Sequence, residues 1–191
     1  MKIEKSNKIL YNLLPFISNY MIPPFNESGN IPVGEHETTL PEFKTRFVTE
    51  FNTSITRPDL YQNYINYNLM LSTFNVAKKE WVIGSYTSAK IDPSDVDLIV
   101  YLDALLLIRC HEEHDLWTSL DENMIRDTFN CHTHLVFIHP EDDPKYEHAS
   151  HVREYWEKWF SLDRSDRPRG AVVLDLLATQ YHSDLMIEAG V

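Results

Sequence analysis

The chain has 191 residues, of which 43% are hydrophobic, so it is long and apolar enough for one domain with its own core. This composition excludes a wholly disordered protein. The net charge of −12 argues against a long nucleic-acid duplex laid across the surface. The longest apolar run, near Leu105 to Ile108, is far too short to cross a membrane.

Residues 1–30 are predicted to form an N-terminal extension with a short helix from Lys8 to Ser18. This segment lacks the small-residue cleavage site of a signal peptide, so we expect a cytoplasmic protein. In that compartment the two cysteines, Cys110 and Cys131, are expected to be reduced thiols.

Two further helices are predicted before the first strand. One begins near Leu40, because Pro41 suits the first turn of a helix and Glu42 suits its positive end. From Arg57 to Lys79, aromatic and aliphatic side chains recur every three or four residues. This period predicts one long helix whose aromatic stripe packs against a sheet.

The segment 81–103 is the most informative part of the chain. Trp81 to Ile83 is predicted to be a short buried strand, and Gly84-Ser85 the turn that leads from it into a short helix. That helix would end between Lys90 and Asp92, where a Pro-containing turn leads into a second strand. Free backbone N–H groups at the turn, the Ser85 hydroxyl and the helix dipole would together hold a triphosphate.

Asp95 and Asp97 lie in this second predicted strand. Because they are two residues apart, they point to the same face, whereas Val96 and Leu98 point to the other face and pack. A buried carboxylate pair is costly without a partner, and a divalent cation with oxygen ligands is the usual partner. The pair therefore indicates a metal site that serves phosphoryl chemistry.

The order of these parts, an apolar strand, Gly84-Ser85, a spacer and Asp95-x-Asp97, resembles the core motif of the DNA-polymerase-β-like nucleotidyltransferase superfamily. The resemblance implies that Gly84 and Ser85 contact the nucleotide phosphates. It also implies that Asp95 and Asp97 bind two magnesium ions that join the nucleotide to an acceptor.

A wider resemblance covers most of the chain. Ile31 to Phe47 and Arg167 to Leu177 are similar to a bacterial group of unknown function. That group has a basic residue before the glycine of the second segment, which makes Arg169 a candidate for nucleotide binding. Acids lie between the arginines around Arg169, so the alternative interpretation of this segment is a solvated loop.

The third carboxylate of the superfamily is not evident in the sequence. The candidate for its strand, Thr133 to His139, carries no acid and has His134 at the expected position. A neutral imidazole can accept a proton or bind manganese, but it is a poor magnesium ligand. Asp175, in the predicted strand Ala171 to Leu177, is an equal candidate and Glu141 is a further one. For each of them a structural role is the alternative.

Two more helices are predicted downstream, from Leu116 to Phe129 and from Glu147 to Phe160. The second carries an amphipathic face that is expected to close the core, formed by Val152, Tyr155, Trp156 and Trp159. Cysteines and histidines around the first helix could suggest zinc, although their spacing matches no familiar finger or ribbon. They are Cys110, His111, His114, Cys131, His132 and His134.

We therefore expect an α/β (α+β) fold, a small mixed sheet with helices packed on it, in one domain over residues 1–191. The expected activity moves a nucleotidyl group from a nucleoside triphosphate such as ATP to a hydroxyl, with Mg²⁺ or Mn²⁺. The acceptor would be a protein side chain, a tRNA end or a small molecule. Resemblance to minimal members of the superfamily suggests toxin–antitoxin or phage-defence systems, with an antitoxin as a possible partner. The alternatives are a catalytically degenerate nucleotide-binding or regulatory module, and a metal-dependent hydrolase.

Overall fold

Five strands form one mixed sheet in the computed structural model, which describes residues 22–110 and 114–191. Their order across the sheet is β1-β5-β2-β3-β4. The parallel pairs are β1 with β5 and β3 with β4, while β2 runs antiparallel to both of its neighbours. The strands are β1 (Glu35–Glu37), β2 (Ala77–Ile83), β3 (Val96–Asp103), β4 (Cys131–Ile138) and β5 (Ala171–Asp175).

Within these described ranges, seven α-helices and one 3₁₀ turn, Thr49–Phe51, accompany the sheet. The helices are α1 (Leu40–Phe47), α2 (Arg57–Ser72), α3 (Ala104–Arg109), α4 (His114–Ser119), α5 (Glu122–Phe129), α6 (Tyr146–Phe160) and α7 (Thr179–Ala189). The predicted α/β class with a mixed sheet is confirmed. The helix predicted from Lys8 to Ser18 lies outside the described residues. No described helix has both the length and the apolar character needed to cross a membrane.

The two faces of the sheet are covered unequally. On one face, Val96, Leu98 and Val100 belong to a large core that also takes in the buried sides of α1, α2 and α7. On the other face a smaller cluster, which includes Ile83 and Ile99, is covered by α6. Because side chains alternate along a strand, Asp97 shares this thinly covered face with Ile99.

The predicted helix start near Leu40 is confirmed. The Thr39 hydroxyl accepts a hydrogen bond from the backbone N–H of Glu42 at 3.4 Å, and a proline lies in the first turn. The helix predicted from Arg57 to Lys79 is too long, because α2 stops at Ser72 and residues 77–79 belong to β2. Asn75, with a φ of 50°, turns the chain between the two elements.

The helix predicted from Leu116 to Phe129 is two helices, α4 and α5. Asp121 separates them, and its carboxylate accepts a hydrogen bond from the backbone N–H of Met124 at 2.8 Å. An aspartate in this position caps the start of a new helix. Both cysteines are free thiols; Cys131 is buried, whereas Cys110 is partly exposed.

No helix forms after Gly84-Ser85, contrary to the prediction, and residues 84–92 are turns and bends. Their carbonyls point at the guanidinium group of Arg57, a side chain with 0% exposure. Carbonyls that converge on one side chain cannot also lie parallel to one another along a helix axis. The Arg57 group donates at 2.7, 2.9, 2.7 and 3.1 Å to the carbonyls of Tyr86, Ser88, Lys90 and Ile91.

The helix predicted from Glu147 to Phe160 is confirmed as α6, but the expectation that its aromatic face closes the core holds only in part. Trp156 packs on the sheet, whereas Tyr155 and Trp159 are 55% and 63% exposed. The predicted last strand is β5, which ends at Asp175, and α7 follows it.

Candidate functional site

Two carboxylates lie at the start of β3, on the thinly covered face of the sheet. Asp95 precedes the strand, and Asp97 pairs with Ile83, the last residue of β2. Gly84 therefore lies against the Asp97 carboxylate, and a Cβ added to Gly84 would lie 1.9 Å from its Oδ2. Gly84 also has a φ of 77°. Both the space and the backbone conformation therefore require glycine at this turn.

The environment of Asp97 favours its neutral form. Burial raises the pKa of Asp97, and the negative charge of Asp95 raises it further. His132, Arg169 and Arg164 oppose this and lower the pKa. A bound cation would relieve the repulsion between the two carboxylates.

β4 brings a histidine to the carboxylate pair. In the parallel register of β3 and β4, His132 is the partner of Asp97. Its Nδ1 lies 3.8 Å from Oδ1 of Asp97 and 3.9 Å from Oδ2 of Asp95. The sequence pointed to His134 for this position, but His134 lies opposite Ile99, one pair further along.

His134 contacts helix α6. Its ring stacks on Trp156 with the ring centroids 4.1 Å apart, and it lies 5.0 Å from the ring of Phe160. Burial lowers the pKa of His134, and the nearby His132 lowers it further. The stacked imidazole therefore packs α6 against the sheet.

The other two candidates for the third acid lie at the far end of the sheet. Asp175 pairs with Lys79, four residues before Ile83 on β2, which is a separation of roughly 13 Å along the strand. Its exposed carboxylate accepts a hydrogen bond from the backbone N–H of Leu177 at 2.9 Å. Glu141 lies in an exposed turn after the C-terminal end of β4. The fold therefore brings neither of them to the carboxylate pair.

The carboxylates open into a cleft with a volume of about 1160 Å³. One wall is formed by the turn segment after Gly84 and by the loop at Ser28 to Asn30. The Ala89 N–H joins the two by donating a hydrogen bond to the Gly29 carbonyl at 2.8 Å. The other wall is the end of α6 with the loop 162–169. Positive side chains from both walls line the cleft, although the chain is acidic overall. They are Lys90, Lys158, Arg164, Arg167 and Arg169.

Asp163 organises the loop 162–169. Its carboxylate accepts hydrogen bonds from the backbone N–H groups of Ser165 and Arg167 at 2.8 and 3.0 Å. It also accepts from Asn30 Nδ2 at 2.9 Å and from Arg167 Nε at 2.8 Å. These bonds hold the pKa of Asp163 well below its usual range. The acid that interleaves with the arginines is therefore a structural anchor, and the exposed Arg164 also lines the cleft.

Arg169 joins the end of α6 to the carboxylate site. Its Nε donates to the Phe160 carbonyl at 2.9 Å, and its backbone N–H donates to the Ser161 carbonyl at 2.8 Å. Burial lowers the pKa of Arg169, while the negative charge of Asp97 acts in the opposite direction. The residue proposed from sequence as a nucleotide contact therefore lies in the cleft, where its charge reaches Asp97.

The donors near the pair suit one kind of cation. Mg²⁺ commonly takes one or two carboxylates and completes its shell with water and substrate phosphates, so Asp95 and Asp97 in an open cleft fit it. In residues 22–110 and 114–191 no group of three or more His, Cys, Asp or Glu side chains could hold a metal ion. The zinc alternative therefore has no support there. His111 and the side chain of His114 lie outside the described residues.

Taken together, the fold and the cleft define an α/β protein with a carboxylate pair and a cationic wall at one end of a mixed sheet. The chain belongs to a family of unknown function, DUF6932, whose profile matches residues 23–175. The matched range includes both carboxylates and the loop 162–169. No curated protein and no solved structure among those compared matches the chain.

The sequence does not predict several parts of this cleft. His132 was missed because alternation along β4 places it on one face with His134, and only the register with β3 distinguishes them. The alternation of Cys131 and Thr133 with the two histidines was the available signal in the sequence for that shared face. Lys158 comes from α6, so no local pattern connects it to the aspartates.

Proposed function

We propose that the protein is a metal-dependent nucleotidyltransferase, which moves a nucleotidyl group from a nucleoside triphosphate to an acceptor hydroxyl. The observation that carries the proposal is the contact between Gly84 and Asp97, where the turn approaches the carboxylate so closely that only glycine fits. A polyphosphate bound at this turn would lie directly beside the carboxylate pair.

Asp95 and Asp97 would hold Mg²⁺ or Mn²⁺, which supplies positive charge at the phosphate oxygens. The Ser85 hydroxyl, half-buried at the cleft, would donate to a phosphate oxygen. Arg164 and Arg169 would bring further positive charge to the phosphates, since charge-assisted hydrogen bonds to phosphate are strong.

His132 is the group that would accept the proton of the attacking hydroxyl. Its Nδ1 lies within 4 Å of both carboxylates, so the imidazole borders the place where the acceptor oxygen would attack. The proton would pass from the acceptor oxygen to the ring, the oxygen would attack the α-phosphorus, and pyrophosphate would leave.

The acceptor would be a protein side chain, a tRNA end or a small molecule. A volume of about 1160 Å³ exceeds the usual size of a single small-molecule pocket, which is roughly 300–1000 Å³, so an acceptor group has room beside the triphosphate. The resemblance to minimal nucleotidyltransferases favours a toxin–antitoxin or phage-defence role with an antitoxin as protein partner.

A transfer assay tests this proposal. Each α-labelled nucleoside triphosphate is incubated with the protein, Mg²⁺ or Mn²⁺, and an extract that contains protein and RNA, and the label is followed by gel. Wild-type protein should label a macromolecule or a small acceptor, and Asp95→Asn with Asp97→Asn should not. Asp175→Asn is the matched control, because it removes an exposed carboxylate at the far end of the sheet. Equal labelling by the double variant would overturn the proposal.

A second candidate is a nucleotide-binding module without turnover. It is favoured by the pairing of Asp97 with His132, where the superfamily has a third carboxylate. This module would give a metal-dependent thermal shift with a nucleoside triphosphate, abolished in Asp95→Asn with Asp97→Asn, and no labelled acceptor. The two assays together separate an enzyme from a sensor.

A further inference from the structure

Two large aromatic side chains on α6 line the cleft and remain exposed. Tyr155 is 55% exposed and Trp159 is 63% exposed, and both line the cleft. Their ring centroids are 6.2 Å apart and their planes are inclined by only 23°. Aromatic rings of this size usually bury most of their surface, so this pair requires an explanation.

Core packing does not explain the pair. On α6, Trp156 and Phe160 form the stripe that meets the sheet, and Trp156 stacks on His134 at 4.1 Å. Tyr155 and Trp159 precede these two residues by one position each, so they lie on an adjoining face of the helix. That face adjoins the cleft rather than the core.

Arg169 connects the helix that carries the aromatic pair to the carboxylate site. Arg169 donates to the carbonyls of Phe160 and Ser161, at the last turn of α6. The positive charge of Arg169 in turn acts on Asp97. The rings, the cations and the carboxylates therefore line one cleft rather than separate surfaces.

We propose that Tyr155 and Trp159 form the stacking surface for the base of the nucleoside triphosphate, with a preference for purines. A nucleotide combines a flat ring with phosphates, and this cleft combines exposed flat rings with the cations Lys158 and Arg164. A purine ring system offers more flat apolar area to these two rings than a pyrimidine does. The proposal rests on the proposed function, since the triphosphate tail would occupy the turn at Gly84.

Comparison of ATP with inorganic tripolyphosphate tests this surface, because tripolyphosphate has the charges but no base. Affinities are measured by calorimetry in the presence of Mg²⁺. Trp159→Ala should weaken ATP binding roughly 5-fold to 150-fold, since stacking on one aromatic side chain is worth about 1–3 kcal/mol. Its affinity for tripolyphosphate should stay within about twofold of wild type, because the phosphate contacts lie elsewhere.

Three variants provide controls. Trp159→Phe should retain most of the ATP affinity, because a flat ring remains. Tyr155→Ala should weaken ATP binding in the same direction as Trp159→Ala. Trp117→Ala removes a 49% exposed tryptophan from α4, which is not among the residues that line the cleft, and should leave both affinities unchanged. For the wild type, ATP should bind more tightly than CTP.

The outcomes separate this inference from the proposed function. If wild-type protein binds neither ATP nor tripolyphosphate, both are overturned. If it binds both and Trp159→Ala does not change the ATP affinity, the stacking surface alone is wrong. If Trp159→Ala instead weakens only the binding of a labelled single-stranded oligoribonucleotide, the rings contact an acceptor and the base of the triphosphate lies elsewhere. An equal loss for ATP and tripolyphosphate would show that Trp159 supports the fold of the cleft, which also overturns the inference.

Discussion

Burial raises the pKa values of two carboxylates on opposite faces of the sheet, but the groups around the two carboxylates differ. Glu80, on β2, faces the large core and has 0% exposure. It accepts hydrogen bonds from the Tyr64 hydroxyl and from Asn68 Nδ2, and its Oε2 has no hydrogen-bond partner among the described residues. Burial raises the pKa of Glu80 from its usual 4.5 to about 7.

Asp97 lies on the other face and opens to the cleft. Its pKa is raised by burial and then by Asp95, while Arg169 and His132 act against these effects. Glu80 can stay neutral inside a core. Asp97, in contrast, lies beside a second carboxylate, and positively charged groups are close enough to affect its pKa.

The comparison shows how an acid that supports the fold differs from an acid that is available to a ligand. Burial of Glu80 costs less free energy because its carboxyl group binds a proton and accepts hydrogen bonds from Tyr64 and Asn68. The Asp95 and Asp97 pair retains a repulsion that the protein alone relieves only in part. Such unrelieved charge in a cleft is typical of functional sites.

The largest expected effect is the difference in activity between neutralising Asp97 on one face and neutralising Glu80 on the other. Asp97→Asn should reduce nucleotidyl transfer roughly 100-fold or more, because it removes a charge that would act directly at the phosphates. Glu80→Gln should leave transfer within about twofold of wild type, since Glu80 does not reach the cleft. Initial rates with saturating triphosphate and metal measure both.

Stability provides the complementary measurement for these variants. Without metal, Asp97→Asn should melt at a higher temperature than wild type at pH 8, because it removes a buried charge and its repulsion with Asp95. Loss of transfer together with a lower melting temperature would mean that Asp97 supports the fold, as Glu80 does.

The sequence predicts the parts of the site that are close together in the chain. Gly84, Asp95 and Asp97 lie within one segment, where strand alternation and turn chemistry act over a few residues. The partner of Asp97 on β4 depends on strand register, which the sequence leaves open between His132 and His134.

The extent of the helices was harder to predict because tertiary contacts override local preference. Residues 84–92 have no helix because Arg57, far earlier in the chain, binds their carbonyls. The period of α6 places Tyr155 and Trp156 in one apolar stripe, and only the packing on His134 shows which ring is buried. The order of buried aromatic residues along α2, in contrast, follows directly from its period.

The second prediction concerns the pH dependence of the free energy of unfolding. Because the pKa of Glu80 is raised from 4.5 to about 7, the folded protein keeps this proton where the unfolded chain has lost it. The contribution of this proton to the free energy of unfolding is fully present below pH 4.5 and is lost as the pH rises through about 7. One pKa unit corresponds to about 1.4 kcal/mol, so wild type should lose about 3 kcal/mol more unfolding free energy than Glu80→Gln between pH 4.5 and 8.

Urea unfolding at a series of pH values measures this difference. Subtracting the Glu80→Gln curve removes the contributions of other groups, including Asp97, because they are common to both proteins. Glu141→Gln, at an exposed turn, is the matched control and should follow the wild-type curve. Parallel curves for wild type and Glu80→Gln would show that Glu80 titrates in the same range in both states.

The smallest expected effect distinguishes the two histidines of β4. His132→Asp would place a third carboxylate opposite Asp97 and should lower the Mg²⁺ concentration for half-maximal nucleotide binding by about threefold to tenfold, because metal affinity follows the charge of its ligands. Without metal, this variant should melt at a lower temperature than wild type, since three acids then repel one another. His134→Asp should leave the Mg²⁺ requirement unchanged, because this residue lies one pair away and stacks on Trp156. Thermal shift titrations with Mg²⁺ at fixed ATP measure both variants, and a lower Mg²⁺ requirement for His134→Asp alone would place the third group of the site at His134.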